Sequence, residues 1–305
     1  MTENTSSAPR PVNLHSGEWL DDNRARWDER VPVHVNSEFY DQSDLRAGAG
    51  TLTPVDEVEL ALLFPGDDGR FDLTGMRVLH LQCHFGADSL RLAQRGATVV
   101  GVDFSMPAVR EARRLAAETG LADRARFVCA NIYDARHTLP EPESFDLVFT
   151  TWGTIGWLPD VADWARIVEW FLKPGGTLYF TDGHPAAQVF DAAPDGAELP
   201  VFTYPYRNEE PDIFDDGTDY ADESAVLENT RTWEWMHPLS TTFGALRDAG
   251  LAVDRLAEHD ELPWRMFPGL IDRGEGMFGW PAEVWLPLAV TVVATKPYEH
   301  SREKR

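Results

Sequence analysis

Three scarcities narrow the reading of this 305-residue chain. Cysteine occurs twice, as Cys83 and Cys129. Each falls at or beside the end of an expected core strand, so the pair reads as buried reduced thiols rather than a disulfide or a metal site. Basic side chains number 27 against 51 acidic ones, a formal net charge of -24. A surface of that sign repels a phosphate backbone and no local basic patch offsets it, which argues against nucleic acid as a partner. Long apolar runs are missing too: no stretch approaches a membrane span and the N-terminus has no apolar signal core, so the chain is expected in the cytoplasm. With 43% hydrophobic residues and no internal repeat, the length suits one α/β core domain with insertions.

Glycine is short where a nucleoside-binding loop usually needs it. Residues 76–105, MRVLHLQCHFGADSLRLAQRGATVVGVDFS, place an apolar run, a tight turn, an amphipathic segment and a second apolar run in succession. This is one βαβ half-unit, which leaves backbone N–H groups and a positive helix end facing a crevice at the sheet's carboxyl edge. Of the dinucleotide fingerprint only Gly86 remains, because His80, Gln82 and His84 stand where an acid or glycines are expected. Asp103 follows Gln82 by 21 positions, which sets its carboxylate at the end of the neighbouring strand, where a ribose diol sits. The pattern implies a nucleoside site without naming the cofactor.

Around this unit the chain divides into segments. Residues 1–12 and 298–305 read as tails. Residues 13–70 read as an N-terminal helical arm or lid, with one helix over Gly17 to Arg30 and another starting at the cap-and-proline pair Thr53-Pro54. The core runs over 71–182: strands at 76–81, 97–102, 126–130 and 145–151 alternate with helices at 86–95, 106–118 and 160–172, and LKPGG breaks the last helix before the strand TLYFTDG. Such alternation gives a parallel sheet covered on both faces. An aromatic-rich cap follows over 183–239, with no basic residue between Arg207 and Arg231. A structureless loop of that length does not suit a compact domain, so the cap should hold a hairpin whose second strand lies in ENTRTWEWM. Its acidic run, EEPDIFDDGTDYADE, offers no register of calcium ligands before Gly217 and reads as a solvated charge run. The final segment, 240–297, holds the helix TTFGALRDAG and the strands LAVDRLAEHD and LPLAVTVVATKP, separated by an aromatic loop at 261–285. With no helix between them those strands must pair antiparallel or reach across an edge.

The motifs VLHLQCHFGADSLRLAQRGATVVGVDFS, FDLVFTTWGTIGWLPD, LKPGGTLYFTDGHP and WMHPLSTTFGALRDAG resemble class I S-adenosylmethionine-dependent methyltransferases. The likeness is strongest to a bacterial natural-product tailoring branch with an LQCHFG first motif, and it covers about Tyr40 to Pro297. It implies a Rossmann-like α/β fold with a seven-stranded, mostly parallel sheet, an antiparallel last strand and helices on both faces. It also implies S-adenosyl-L-methionine as cofactor and S-adenosyl-L-homocysteine as product. Under this resemblance Gln82, His84 and Gly86 form the loop beneath the methionine and ribose, and Asp103 takes both ribose hydroxyls. Phe104 and Ser105 flank the adenine, Asn131 and Ile132 meet its edge, and Thr151 closes the site beneath the sulfonium.

Methyl transfer from a sulfonium is an in-line displacement, so the protein chiefly aligns donor and acceptor in a dry site. A base is required only if the acceptor holds a proton of high pKa. His184, in DGHP after the strand TLYFTDG, is the candidate, since neutral imidazole takes a proton near pH 7; Asp182 and His237 are alternatives. Tyr40, Trp152, Tyr206, Trp235 and Trp264 are expected to line a closed pocket for a small flat acceptor, indole-like or amine-containing. His80 and His84, two histidines in one turn, have no third ligand nearby, so no metal is expected. The expected partner is a small molecule, with no nucleic acid and no membrane. The arm closes its own site or, in a homodimer, a partner's. Two other readings stay open: an NAD-dependent oxidoreductase, disfavoured by the missing glycines and the antiparallel ending, and a non-catalytic binding protein of the same fold.

Overall fold

The computed structural model describes residues 12–298 apart from positions 195, 198 and 223, so the expected tails lie outside it but for one residue each. The arm contains α1 (Glu18–Asn36), α2 (Ser43–Arg46) and α3 (Pro54–Leu63). α1 continues past Arg30 and through Pro32, because Arg30, Val31 and His34 are buried on one side and hold the turn that proline weakens. α3 begins where Thr53 Oγ1 accepts from the Asp56 N–H, with Pro54 in the first turn.

The core alternates β1 (Arg77–Leu81), α4 (Ala87–Gln94), β2 (Thr98–Asp103), α5 (Met106–Glu118), β3 (Ala125–Cys129), the short α6 (Ala135–Thr138), β4 (Phe145–Thr151), α7 (Val161–Phe171) and β5 (Leu172–Gly183). The stripe Val161, Trp164, Ile167, Val168 and Phe171 of α7 is buried, as an amphipathic helix requires. LKPGG does not stand apart as a turn. It is drawn into β5 as a bulge, the register stepping from Phe145↔Leu172 to Leu147↔Thr177.

In the cap, β6 (Phe190–Asp191) pairs with β7 (Val201–Phe202), and β8 (Asp212–Asp215) pairs with β9 (Arg231–Glu234), which lies within ENTRTWEWM. Then come α8 (Leu239–Asp248), β10 (Ala252–His259), the strands β11 (Glu261–Leu262), β12 (Ile271–Gly274) and β13 (Met277–Gly279) of a small sheet in the aromatic loop, and β14 (Ala289–Thr295).

The main sheet has seven strands in the order β10-β14-β5-β4-β1-β2-β3. The β1–β5 pairs are parallel, and β14 alone runs against its neighbours β5 and β10. This is the Rossmann-like α/β sheet with an antiparallel last strand. Side chains alternate along each strand: Val78, Val99 and Leu147 pack on the α4 and α5 face, while Leu79, Val100 and Val148 pack with Trp164 and Leu246 on the other. Each such buried side chain stabilises the fold by about 1.5–3 kcal/mol. No helix among the described residues is long and apolar enough to cross a membrane.

Candidate active site

The chain's winding reverses between β1 and β4, and a cavity of about 810 Å³ opens at the carboxyl ends of these strands. That volume falls in the range of small-molecule sites, roughly 300–1,000 Å³, at the place where open α/β sheets bind ligands.

The floor of the cavity is the turn from β1 to α4. Gln82 (φ 56°) and His84 (φ 52°) adopt the left-handed backbone that glycines would take, and Gly86 (φ 79°) does the same. The loop keeps its shape while gaining two side chains. Only the last position is closed to one, since a Cβ on Gly86 would lie 2.6 Å from the Phe127 ring and 2.8 Å from Ala112 Cβ. Left-handed backbone outside glycine costs on the order of 1–3 kcal/mol per residue and gathers at functional sites. Of the five such residues described, Gln82, His84, Trp152 and Glu275 line this cavity. Gln82 Nε2 donates to the Thr154 carbonyl at 2.8 Å, and its buried Oε1 has no partner among the described residues. His80 Nδ1 lies 2.8 Å from Ser89 Oγ, and burial lowers its pKa to about 4, so a neutral ring occupies the acid's usual place.

Asp103 ends β2. Its Oδ2 accepts from the His84 N–H at 2.7 Å and its Oδ1 from the Ser105 N–H at 2.9 Å. Burial raises its pKa to about 6, against the pull of those N–H groups. It does not cap α5, because Ser105 Oγ accepts from the Ala108 N–H at 3.2 Å. Phe104, Asn131 and Ile132 lie on the adjoining wall. There the Asn131 amide is steadied from both ends, Nδ2 donating to the Leu14 carbonyl at 2.8 Å and Oδ1 accepting from the Tyr133 N–H at 3.3 Å, with a second N–H and a second lone pair left over.

Across the cavity, Thr151 ends β4 and Trp152 follows at φ 54°. The Trp152 indole N–H donates to Asp56 Oδ2 at 2.7 Å. Asp56, 1% exposed, also accepts from Thr53 Oγ1 at 2.7 Å and the Tyr179 hydroxyl at 2.8 Å, and burial pushes its pKa up to about 7. Trp264 meets Trp152 edge-on with ring centres 6.1 Å apart. The arm roofs its own chain's cavity with Trp19, Trp27, Arg30 and Tyr40, and Glu234 of β9, raised to about 7 by burial, reaches the same space.

Three expected residues lie off this wall. His184 is buried behind it, where Nδ1 accepts from the Ala186 N–H at 3.1 Å and Nε2 lies 3.2 Å from Glu258 Oε1, so the ring anchors the loop after β5. The Tyr206 hydroxyl accepts from the Leu239 N–H at 3.0 Å and thereby serves the start of α8. Trp235 packs edge-on against Trp19 at 5.6 Å inside the core. The alternative bases are also committed elsewhere. Asp182 accepts from the N–H groups of Gly153, Thr154 and Gly183, and His237 Nε2 lies 2.7 Å from the Leu158 carbonyl.

Several site residues escape the sequence reading. Asp56 looks like an ordinary first-turn acid, and Asp219 sits in the acidic run read as solvated yet is 2% exposed. The one legible signal is the spacing of Trp27, Arg30 and His34 on a single face of α1. No group of three or more His, Cys, Asp or Glu residues able to hold a metal occurs among the described residues.

Residues 78–176 match a family model described as a methyltransferase domain. Over 139 residues the chain is 35% identical to the ubiquinone biosynthesis O-methyltransferase of Ralstonia nicotianae, covering 44% of this chain and 56% of that protein. For the enzyme of the same name from Stutzerimonas stutzeri the identity is 32% over 145 residues, covering 46% and 60%. The chain thus spans less than two thirds of the length of these curated relatives. An S-adenosylmethionine-dependent methyltransferase from Mesorhizobium loti superposes with a TM-score of 0.53 at 22% identity, covering 79% of this chain and 97% of that one. Geranyl diphosphate C-methyltransferase from Streptomyces coelicolor also gives 0.53, at 13% identity, covering 92% and 98%. At these identities the superpositions speak for the fold. Fold and matched segment agree: the Rossmann-like sheet is shared with solved methyltransferase structures, and the segment at 78–176 within it resembles a methyltransferase domain.

Proposed function

We propose that the chain transfers a methyl group from S-adenosyl-L-methionine to a small aromatic metabolite, as a tailoring step. The observation that carries this reading is that the β1–α4 loop and Asp103 share one cavity with the rings of Tyr40, Trp152 and Trp264. The residues fit the cofactor: Asp103 is a buried acceptor for a diol, Gln82 Oε1 is an acceptor without a partner among the described residues, and Gly86 supplies the left-handed turn that lets the loop pack tightly on Phe127 and Ala112. Bound there, the cofactor supplies an electrophilic methyl group on a positively charged sulfur. The roof from α1 excludes water, and the rings of Trp152 and Trp264 orient a flat acceptor. Glu234, with Glu38 and Asp41 on the same lining, also suits an amine.

Two acceptor chemistries are supported by different observations. The aromatic wall favours an indole-like ring, and the names of the curated relatives, O-methyltransferases, favour an oxygen acceptor. The NAD-dependent alternative is disfavoured by β14, which runs antiparallel between β5 and β10. Mass spectrometry of reactions holding methyl-labelled donor and a panel of indoles, catechols and aromatic amines tests the proposal. A labelled product from at least one class is expected. Binding of S-adenosylhomocysteine with no labelled product from any class would favour the non-catalytic reading.

A further inference from the structure

A hydrogen-bonded chain of three side chains runs from the cap to the cavity. Both carboxylate oxygens of the buried Asp219 lie 3.1 Å from His34 Nε2, and Arg30 Nε is 3.2 Å from Oδ2. His34, itself wholly buried, presents Nδ1 to His84 Nε2 at 3.3 Å. Rings enclose the chain: Tyr40 stacks on His34 at 4.9 Å, Trp27 stands edge-on to His34 and His84 at 5.9 and 5.4 Å, and Phe85 lies 4.6 Å from His84. The other charged or titratable groups facing it are Arg30, Arg26, Tyr40 and Tyr220, the two tyrosine hydroxyls being 2.5 Å apart.

Counting hydrogens fixes the tautomers. A carboxylate only accepts, so His34 Nε2 carries the hydrogen and donates it to Asp219. Nδ1 of His34 then holds a lone pair and accepts from His84 Nε2–H. That leaves His84 Nδ1 as a bare lone pair, without a hydrogen-bond partner among the described residues, on a side chain that lines the cavity. Burial holds both imidazoles below their ordinary range, which keeps them in the neutral forms this chain requires.

Methylation of a neutral oxygen, nitrogen or aromatic carbon must release a proton. We propose that His84 Nδ1 takes that proton, with His34 and Asp219 as positioning residues that fix its tautomer and offset its charge. The assignment rests on the methyl-transfer reading and moves the base from His184 to His84. The acceptor–methyl bond forms as the sulfur–methyl bond breaks, sulfur keeps the bonding pair, and the acceptor's proton ends on Nδ1. One positive charge disappears from the sulfur and one appears on the imidazolium, where Asp219 stabilises it through His34.

Two-bond proton–nitrogen NMR spectra of the full-length protein, ¹⁵N-labelled at histidine, test the assignment without any acceptor. His34→Gln and His84→Gln variants identify the two rings. At pH 7 both should be neutral with hydrogen on Nε2, and His84 Nδ1 should show the shift of a bare nitrogen. Saturating S-adenosylhomocysteine should leave that shift in place. In Asp219→Asn the protonation midpoint of His84 should fall by about one unit. Hydrogen on His84 Nδ1 at pH 7, or a cofactor-induced change of Nδ1 to a hydrogen-bonded nitrogen, overturns the proposal, the latter by making His84 a cofactor ligand. The wild-type spectra decide even if Asp219→Asn does not fold. Calorimetry on the same samples separates the two claims: intact tautomers without S-adenosylhomocysteine binding would defeat the methyl-transfer reading alone.

Discussion

On the β1–β2 side of the cavity the contacts come from neighbouring strand ends, and the His84–Asp103 hydrogen bond spans 19 positions of sequence. On the β4 side and in the roof they come from distant segments: Trp152 is held by Asp56 across 96 positions, and His34 of the arm by Asp219 across 185. The first side is backbone geometry, which one βαβ unit closes by itself. The second is a set of buried polar side chains that exist only once the arm and cap have packed. Buried groups of this kind are expensive unless satisfied, so each is tied to specific partners.

The comparison breaks most sharply at Asp103. Asp103→Ala should weaken S-adenosylhomocysteine by about 1.5–3 kcal/mol, roughly 10- to 150-fold, in a calorimetric titration. Unaltered affinity would place the ribose elsewhere.

On the opposite side the handle is pH. The folded protein holds a proton on Asp56 up to about pH 7, whereas an unperturbed aspartate releases it near 3.8. With the folded pKa raised, the stability this group contributes is fully present below the unfolded value and is lost as pH rises through about 7. Asp56→Asn removes that titration. In parallel thermal melts the stability of wild type relative to the variant should therefore fall between pH 5 and 8, by about 1–3 kcal/mol. A constant difference would show that Asp56 does not titrate in this window.

The smallest effect is expected outside both walls. His184→Gln should leave S-adenosylhomocysteine affinity and turnover within about twofold, the scale of a change that touches no site group. A selective loss of turnover would return His184 to the chemistry.

How legible each part was follows the same division. The periodicity of 76–105 and the stripe on α7 set the core elements, because strand and helix periods are local. Asp103 was legible because its distance from the first turn is fixed by one helix and one strand. The glycine-poor loop was harder, since Gln82 and His84 adopt a glycine backbone without glycine's signature. His184, Tyr206 and Trp235 were misplaced because neighbourhood in sequence says nothing of which way a ring turns after a strand end. Asp219 could not be told from its solvated neighbours, because only α1, through Arg30 and His34, makes it a buried acid.

The most direct measurement of the central claim is calorimetric titration of the unmodified protein with S-adenosylhomocysteine and, separately, with NAD. Saturable binding of one S-adenosylhomocysteine per chain, with no heat from NAD, is the predicted result. Binding of NAD in place of S-adenosylhomocysteine would contradict it.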